Sequence, residues 1–178
     1  MTIMDLKDYI RQIKDYPKKG ILFRDITTLI KDKLAFEETI NQIVEKSKKF
    51  KVDKIAAIES RGFVFASAVS YILKKPFIML RKKNKLPADV HSVDFQLEYG
   101  TATIEVHKDS ISENDSVLII DDLIATGGTA EAAAKLIEIS KGNVAAFIFV
   151  INLFDLGGCD NLLKKGYEVE NLMDFPGH

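Results

Sequence analysis

Two adjacent carboxylates, Asp121 and Asp122, are followed within a few residues by Ala125, Thr126, Gly127, Gly128 and Thr129. Glycines at this point let the main chain approach an anion closely, and the two threonine hydroxyls can donate to it. A strong helix former, Ala130 to Leu136, comes next, so free backbone N–H groups and the positive end of a helix dipole would converge on the same spot. Together these make an anion site, and a phosphate is expected there. The carboxylates would repel a phosphate they touched and must therefore face another part of the ligand, either sugar hydroxyls or a magnesium ion bridging ligand oxygens. A 5-phosphorylated ribose has that layout. A Walker loop is excluded because no Gly-Lys-Ser/Thr follows, and the glycine spacing of the dinucleotide fingerprint is absent.

The elements that must position these residues are legible on either side. Val117–Ile120 is an unbroken aliphatic run that reads as a strand buried on both faces and ending at the carboxylates. Lys54–Ile58 reads as a second buried strand, Arg61–Leu73 as an apolar helix and Pro76–Leu80 as a third strand, which together make a βαβ unit. The strand at Val117, the helix after Gly128 and a strand over Val144–Leu153 repeat the scheme. The expected fold is α/β, with a central, mostly parallel sheet flanked by helices. In such sheets ligands sit at the C-terminal ends of strands, where Glu59-Ser60-Arg61, Arg81 and Asp121-Asp122 all fall. Met4, Leu6, Ile10 and Ile13 have roughly helical spacing and predict an amphipathic N-terminal helix over 4–13, broken by Pro17 and Gly20. A second helix is expected from about Leu34 to Phe50, with Lys46–Lys51 as its solvated basic end. Residues 83–110 interrupt the alternation, and Phe95–Tyr99 and Thr101–Val106 around Gly100 predict a hairpin or long flap.

Asp121 to Thr129 resembles the phosphoribosyl-pyrophosphate (PRPP) signature of type I phosphoribosyltransferases. Asp15–Ile26, Glu59–Phe63, Arg81–Pro87 and Leu97–Gly100 extend the resemblance from end to end, toward the adenine phosphoribosyltransferase branch of that family. The resemblance implies one phosphoribosyltransferase-type domain over 1–178, with a small hood at 1–33 and a flexible flap at 83–110. It implies a purine salvage enzyme that joins adenine to the ribosyl group of PRPP, giving AMP and pyrophosphate, with magnesium carried by PRPP and no protein metal site. Asp121, Asp122 and Ala125 to Thr129 would bind the ribose phosphate. Arg61, then Arg81, Lys82 and Lys85, would meet the pyrophosphate. Leu22 and Leu153 would sandwich the purine, with Phe23 and Arg24 reading its edge through their main chain. Glu98 would act on the purine proton, Tyr99 would shield the reacting carbon, and Arg61 completes the catalytic set. A homodimer is implied as well. The rival readings are a 6-oxopurine or xanthine phosphoribosyltransferase and a PRPP-sensing regulator of the same fold.

Bulk properties agree with a small-molecule enzyme. A chain of 178 residues, 47% hydrophobic and 29% charged, can bury a substantial core. A net charge of −1 offers no basic excess for nucleic acid or anionic membrane. One cysteine, Cys159, allows no internal disulfide and suits a reducing compartment, so a cytoplasmic location is expected. The first fifteen residues hold no signal-peptide core. The longest apolar run, Val144–Ile151, is far too short to span a bilayer. His91, His107 and His178 show no paired spacing and are expected to face solvent.

Overall fold

A computed structural model describes residues 4–96 and 100–177. Nine strands and five α-helices follow one another: β1 (Arg11–Lys14), β2 (Leu22–Asp25), α1 (Thr27–Lys31), α2 (Lys33–Ser47), β3 (Lys54–Ile58), α3 (Arg61–Leu73), β4 (Phe77–Lys82), β5 (Val90–Gln96), β6 (Thr101–His107), β7 (Ser116–Ile124), α4 (Gly128–Ile139), β8 (Asn143–Leu153), α5 (Gly158–Lys164) and β9 (Val169–Phe175). Seven strands form one sheet in the order β5-β6-β4-β3-β7-β8-β9. Pairing is parallel from β4 through β3, β7 and β8 to β9, and antiparallel where β6 joins β4 and β5. This is the expected α/β architecture.

Both faces of the sheet are covered, which is why its strands read as continuous apolar runs. Ile55, Ala57, Leu118 and Ile120 pack with Ile40 and Ile43 of α2 and Phe65, Ala66 and Val69 of α3. The alternate residues Ala56, Ile58, Val117 and Ile119 pack with Ala133, Leu136 and Ile137 of α4. After β3 the chain crosses through α3 to β4 on one side. After β7 it crosses through α4 to β8 on the other. Strand order therefore reverses between β3 and β7, and that reversal opens a crevice at their C-terminal ends.

Several expectations change. The N-terminal helix is replaced by a single 3-10 turn, Leu6–Tyr9, followed by β1. Leu6 and Ile10 still face the core, but β1 is held by pairing with β2, Arg11 opposite Asp25 and Lys14 opposite Leu22. The strand carrying the carboxylates does not end at them. β7 runs on to Ile124 because β8 continues to pair with it, Leu123 opposite Ile151 and Ile124 opposite Asn152. The lysine-rich end of α2 is not wholly solvated, since Lys46 and Lys49 both pair with Glu170 of β9.

The hairpin forms, with β5 and β6 paired from Val90–His107 to Gln96–Thr101. β5 rests on α4, and a side chain added at Gly128 would meet the carbonyl oxygen of Gln96, at the end of β5 nearest the turn, at 3.3 Å. His91 and His107 are half-buried in the hairpin rather than solvent-facing, and His107 Nε2 accepts from the Ala88 N–H at 3.4 Å. His178 lies outside the described residues, as do Glu98 and Tyr99.

Candidate active site

β3 stops at Ile58 while β7 continues, so the edge of β7 at Asp121 and Asp122 faces open space instead of a neighbouring strand. A cleft of about 460 Å³ occupies that space. Glu59, Ser60 and Arg61 line it from the β3–α3 turn, in which the Glu59–Ser60 peptide is cis. Asp121 to Ala130 line it from β7 and the start of α4, Lys82 from the end of β4, and Phe149 from β8. The glycine-threonine turn behaves as its composition requires: Gly127 has φ +93°, a left-handed backbone that favours glycine. From there α4 starts with no side-chain cap, leaving its first N–H groups available to a ligand.

The carboxylate pair is electrostatically costly by itself. Asp122 is buried, and its Oδ2 forms an ion pair with Nε of Arg61 at 2.7 Å. Burial holds its pKa above the ordinary carboxylate range, against the pull of Arg61. Asp121 is pushed up further, first by burial and then by the neighbouring Asp122. The Asp122 N–H donates to Asp121 Oδ1 at 2.9 Å. One guanidinium for two carboxylates still leaves the pair short of positive charge, and the hydroxyls of a bound sugar would add donors. α3 comes so close that a Cβ on Gly62 would stand 2.8 Å from Asp121 Oδ1 and 3.0 Å from the Ile120 carbonyl oxygen. Glycine at 62 thus lets the helix carrying Arg61 lie directly against the carboxylates.

Arg81 and Lys85 are not part of the cleft wall. The Arg81 guanidinium donates to both oxygens of Glu59 at 3.3 Å, and to the carbonyl of Lys85 at 3.2 Å. Glu59 also accepts from the Lys82 N–H at 3.0 Å, and this donor set, Arg81 foremost, lowers its pKa. Arg81 therefore acts on the cleft through Glu59, which fixes the backbone that presents Lys82. Glu59 and Gly62 carry no role in the sequence reading beyond membership of a motif. Only the acid-base complementarity of Glu59 with Arg81, across 22 residues, could have signalled the link.

None of the four residues expected at the base lines the cleft, and of the four Arg24 and Leu153 share a neighbour, Phe175. Leu153 ends β8 and belongs to the same apolar cluster as Leu123 and Ala125, which do line the cleft. Leu153 pairs with Phe175 of β9, and the Arg24 guanidinium lies 4.8 Å from the Phe175 ring centre. Arg24 is buried, donates to the Pro176 carbonyl at 3.0 Å and keeps Nε without a protein partner. Leu22 and Phe23 are half-buried, with Tyr16 edge-on to Phe23 at 5.2 Å. Cys159 is also buried and outside the cleft. Its thiol is pushed up to about 11, chiefly by burial, so it is no nucleophile at neutral pH.

The class that this fold and cleft define is matched by the phosphoribosyl transferase domain family, whose model covers residues 27–169. The chain is 83% identical over 175 residues to the adenine phosphoribosyltransferase of Pelagibacter ubique, spanning 98% of this chain and 100% of that one. The crystal structure of adenine phosphoribosyltransferase from Thermoanaerobacter pseudethanolicus superposes with a TM-score of 0.91 at 45% identity, covering 96% and 98% of the two chains. The Saccharomyces cerevisiae enzyme, solved with an imino-altritol bisphosphate and adenine, gives 0.87 at 33% identity over 94% and 96%. The chain belongs to the adenine phosphoribosyltransferase family of the phosphoribosyl transferases.

Proposed function

We propose that the protein transfers the 5-phosphoribosyl group of PRPP to N9 of adenine, releasing pyrophosphate and giving AMP. The observation that carries the reading is the single cleft uniting a glycine-threonine anion turn with two under-neutralised carboxylates. Ala125, Thr126, Gly127, Gly128 and Thr129 hold the 5-phosphate. Asp121 and Asp122 accept from the ribose hydroxyls, and their negative field stabilises the positive charge that develops at the sugar as pyrophosphate departs. Arg61 and Lys82 meet the pyrophosphate, while Arg81 and Lys85 support that loop. Leu22, Phe23 and Arg24, within a hood of residues 1–33, form the purine side with Leu153, and residues 83–110 act as a flap. From that flap Glu98 handles the purine proton and Tyr99 excludes water. Together these elements make one domain.

Magnesium arrives on the substrate. Asp122 is already engaged by Arg61. When bound, the ion supplies charge neutralisation at the departing pyrophosphate. A homodimer fits the exposed apolar face of α3. Val64, Tyr71 and Ile72 share one side of that helix, Met79 of β4 is also exposed, and a second copy would cover such surface. A cytoplasmic location suits the lone cysteine and the substrates. No described helix is long and apolar enough to cross a membrane.

The test is to incubate the protein with PRPP, magnesium and each of adenine, hypoxanthine, guanine and xanthine, and to follow pyrophosphate release. Adenine should be used well ahead of the oxopurines. Release with an oxopurine equal to or above that with adenine overturns the assignment.

A further inference from the structure

Behind the phosphate turn, on the side away from the cleft, stands a second glycine pair that no catalytic reading uses. Gly157 and Gly158 lie between the end of β8 and the body of α5. The N–H of Gly158 donates to the carbonyl of Ala125 at 3.0 Å. The contact is closer still at carbon. A Cβ on Gly158 would overlap the Ala125 carbonyl oxygen, stand 2.7 Å from Ile124 Cγ1 and reach within 2.9 Å of the Gly127 nitrogen. From the other direction, a Cβ on Gly127 would meet Gly158 Cα at 3.2 Å. The two main chains are thus in direct contact at Ala125 and Gly127, with no side chain between them. The Glu131 N–H also donates to the Gly127 carbonyl at 2.9 Å. Gly127 is in a left-handed conformation, and α4 begins without a side-chain cap.

We propose that Gly158 is a positioning residue for the phosphate turn: it sets the carbonyl of Ala125 and the left-handed peptide at Gly127, and so the N–H groups that receive the 5-phosphate. The argument rests on the assignment of Ala125 to Thr129 as that phosphate site. It reaches further because α5 and the chain leading into it become part of the PRPP site without touching substrate. Residues 153–158 then carry the proposed purine wall at one end, Leu153, and the buttress of the phosphate turn at the other.

Gly157 supplies the control. It has φ +75° but nothing within 4 Å of an added Cβ. Gly157→Ala strains the backbone without pushing on the turn, whereas Gly158→Ala must displace the Ala125 carbonyl. Displacement of a positioned group by an ångström costs on the order of a hundredfold. Gly158→Ala should therefore raise KM for PRPP roughly 10- to 100-fold while KM for adenine stays within about threefold, and Gly157→Ala should leave both within about threefold, whatever each does to thermal stability. Equal rises for both substrates, no rise for PRPP, or the same pattern from Gly157→Ala overturns the proposal.

A measurement on the wild-type protein covers the case in which Gly158→Ala does not fold. The chain has two Gly-Gly pairs, 127–128 and 157–158. With glycine labelled at the carbonyl carbon and the nitrogen, a carbonyl-filtered amide spectrum contains two signals, Gly128 and Gly158. Titration with ribose 5-phosphate should move both along one binding curve, and a stationary Gly158 signal overturns the coupling. If the wild type binds ribose 5-phosphate yet releases no pyrophosphate with adenine, the proposed activity fails while this titration still decides the role of Gly158.

Discussion

Asp25 closes the β1–β2 hairpin that carries the proposed purine-side residues Leu22 to Arg24, and its charge is bound tightly enough to give a measurable pH signature. Its carboxylate accepts from the Thr27 hydroxyl at 2.6 Å, the Thr27 N–H at 3.0 Å and Nε of Arg11 at 2.9 Å, with a further contact to Arg11 Nη2. These donors, the Thr27 hydroxyl foremost, lower its pKa from 3.8 to about 2. At 1.36 kcal/mol per pH unit the ionised form adds ~2 kcal/mol to folding at pH 7. Because the folded-state value lies below the unfolded one, this contribution is complete above the unfolded pKa and disappears as pH falls through about 2. Nearly all of it should persist at pH 4, and about half at pH 3. Asp25→Asn keeps an acceptor for Thr27 but loses the charge. Its melting temperature should fall by roughly 4–8 °C at pH 7 for a chain of this size, and the deficit should halve by about pH 3. Arg11 is 57% exposed at its side chain against 9% for Asp25, so solvent screens its share. Arg11→Ala should cost less, roughly 0.2–1 kcal/mol, and less again in high salt. Thermal unfolding by circular dichroism at pH 7, 4 and 3 reads all of this. A deficit for Asp25→Asn that is the same at pH 7 and pH 3, or a loss for Arg11→Ala as large, refutes the reasoning. A loosened hairpin should also raise KM for adenine more than KM for PRPP.

Burial and Asp122 raise the Asp121 pKa above its unfolded value, so ionisation at neutral pH costs the folded state. Asp121→Asn should therefore unfold at a higher temperature than the wild type at pH 7, while turnover falls ~10²-fold. Near-wild-type pyrophosphate release would remove Asp121 from the ribose site. Gly62→Ala presses a methyl group against Asp121 Oδ1 and the Ile120 carbonyl and should cost ~1–3 kcal/mol in denaturant melts, with lowered turnover. Unchanged values for both would mean that α3 can move away freely. Glu98→Gln keeps shape and removes the base, so kcat should drop ~10²-fold with little change in adenine affinity. A variant within about threefold of wild type leaves the flap as a cover only.

What the chain declared by itself was local. Apolar runs long enough to be buried on two faces gave away β3, β7 and β8. Helix formers after a glycine turn gave away α4, and the juxtaposition of Asp121-Asp122 with Thr126 to Thr129 led to the proposal of a phosphorylated sugar before any neighbour was known. These signals are legible because each lies within one strand, turn or helix. The tertiary structure decided whatever depends on a partner distant in sequence. Residues 4–13 have helical spacing, yet β2 offers a strand partner that a short isolated helix could not outweigh. The carboxylates sit within β7 and not at its end, because β8 keeps pairing where β3 has stopped. Arg81 is turned from the cleft to Glu59, since a half-buried carboxylate left without donors costs more than an arginine gains from solvent. The contact of Gly158 with Ala125 and Gly127 has no local signature, because close approach of two main chains is a property of packing and not of either segment.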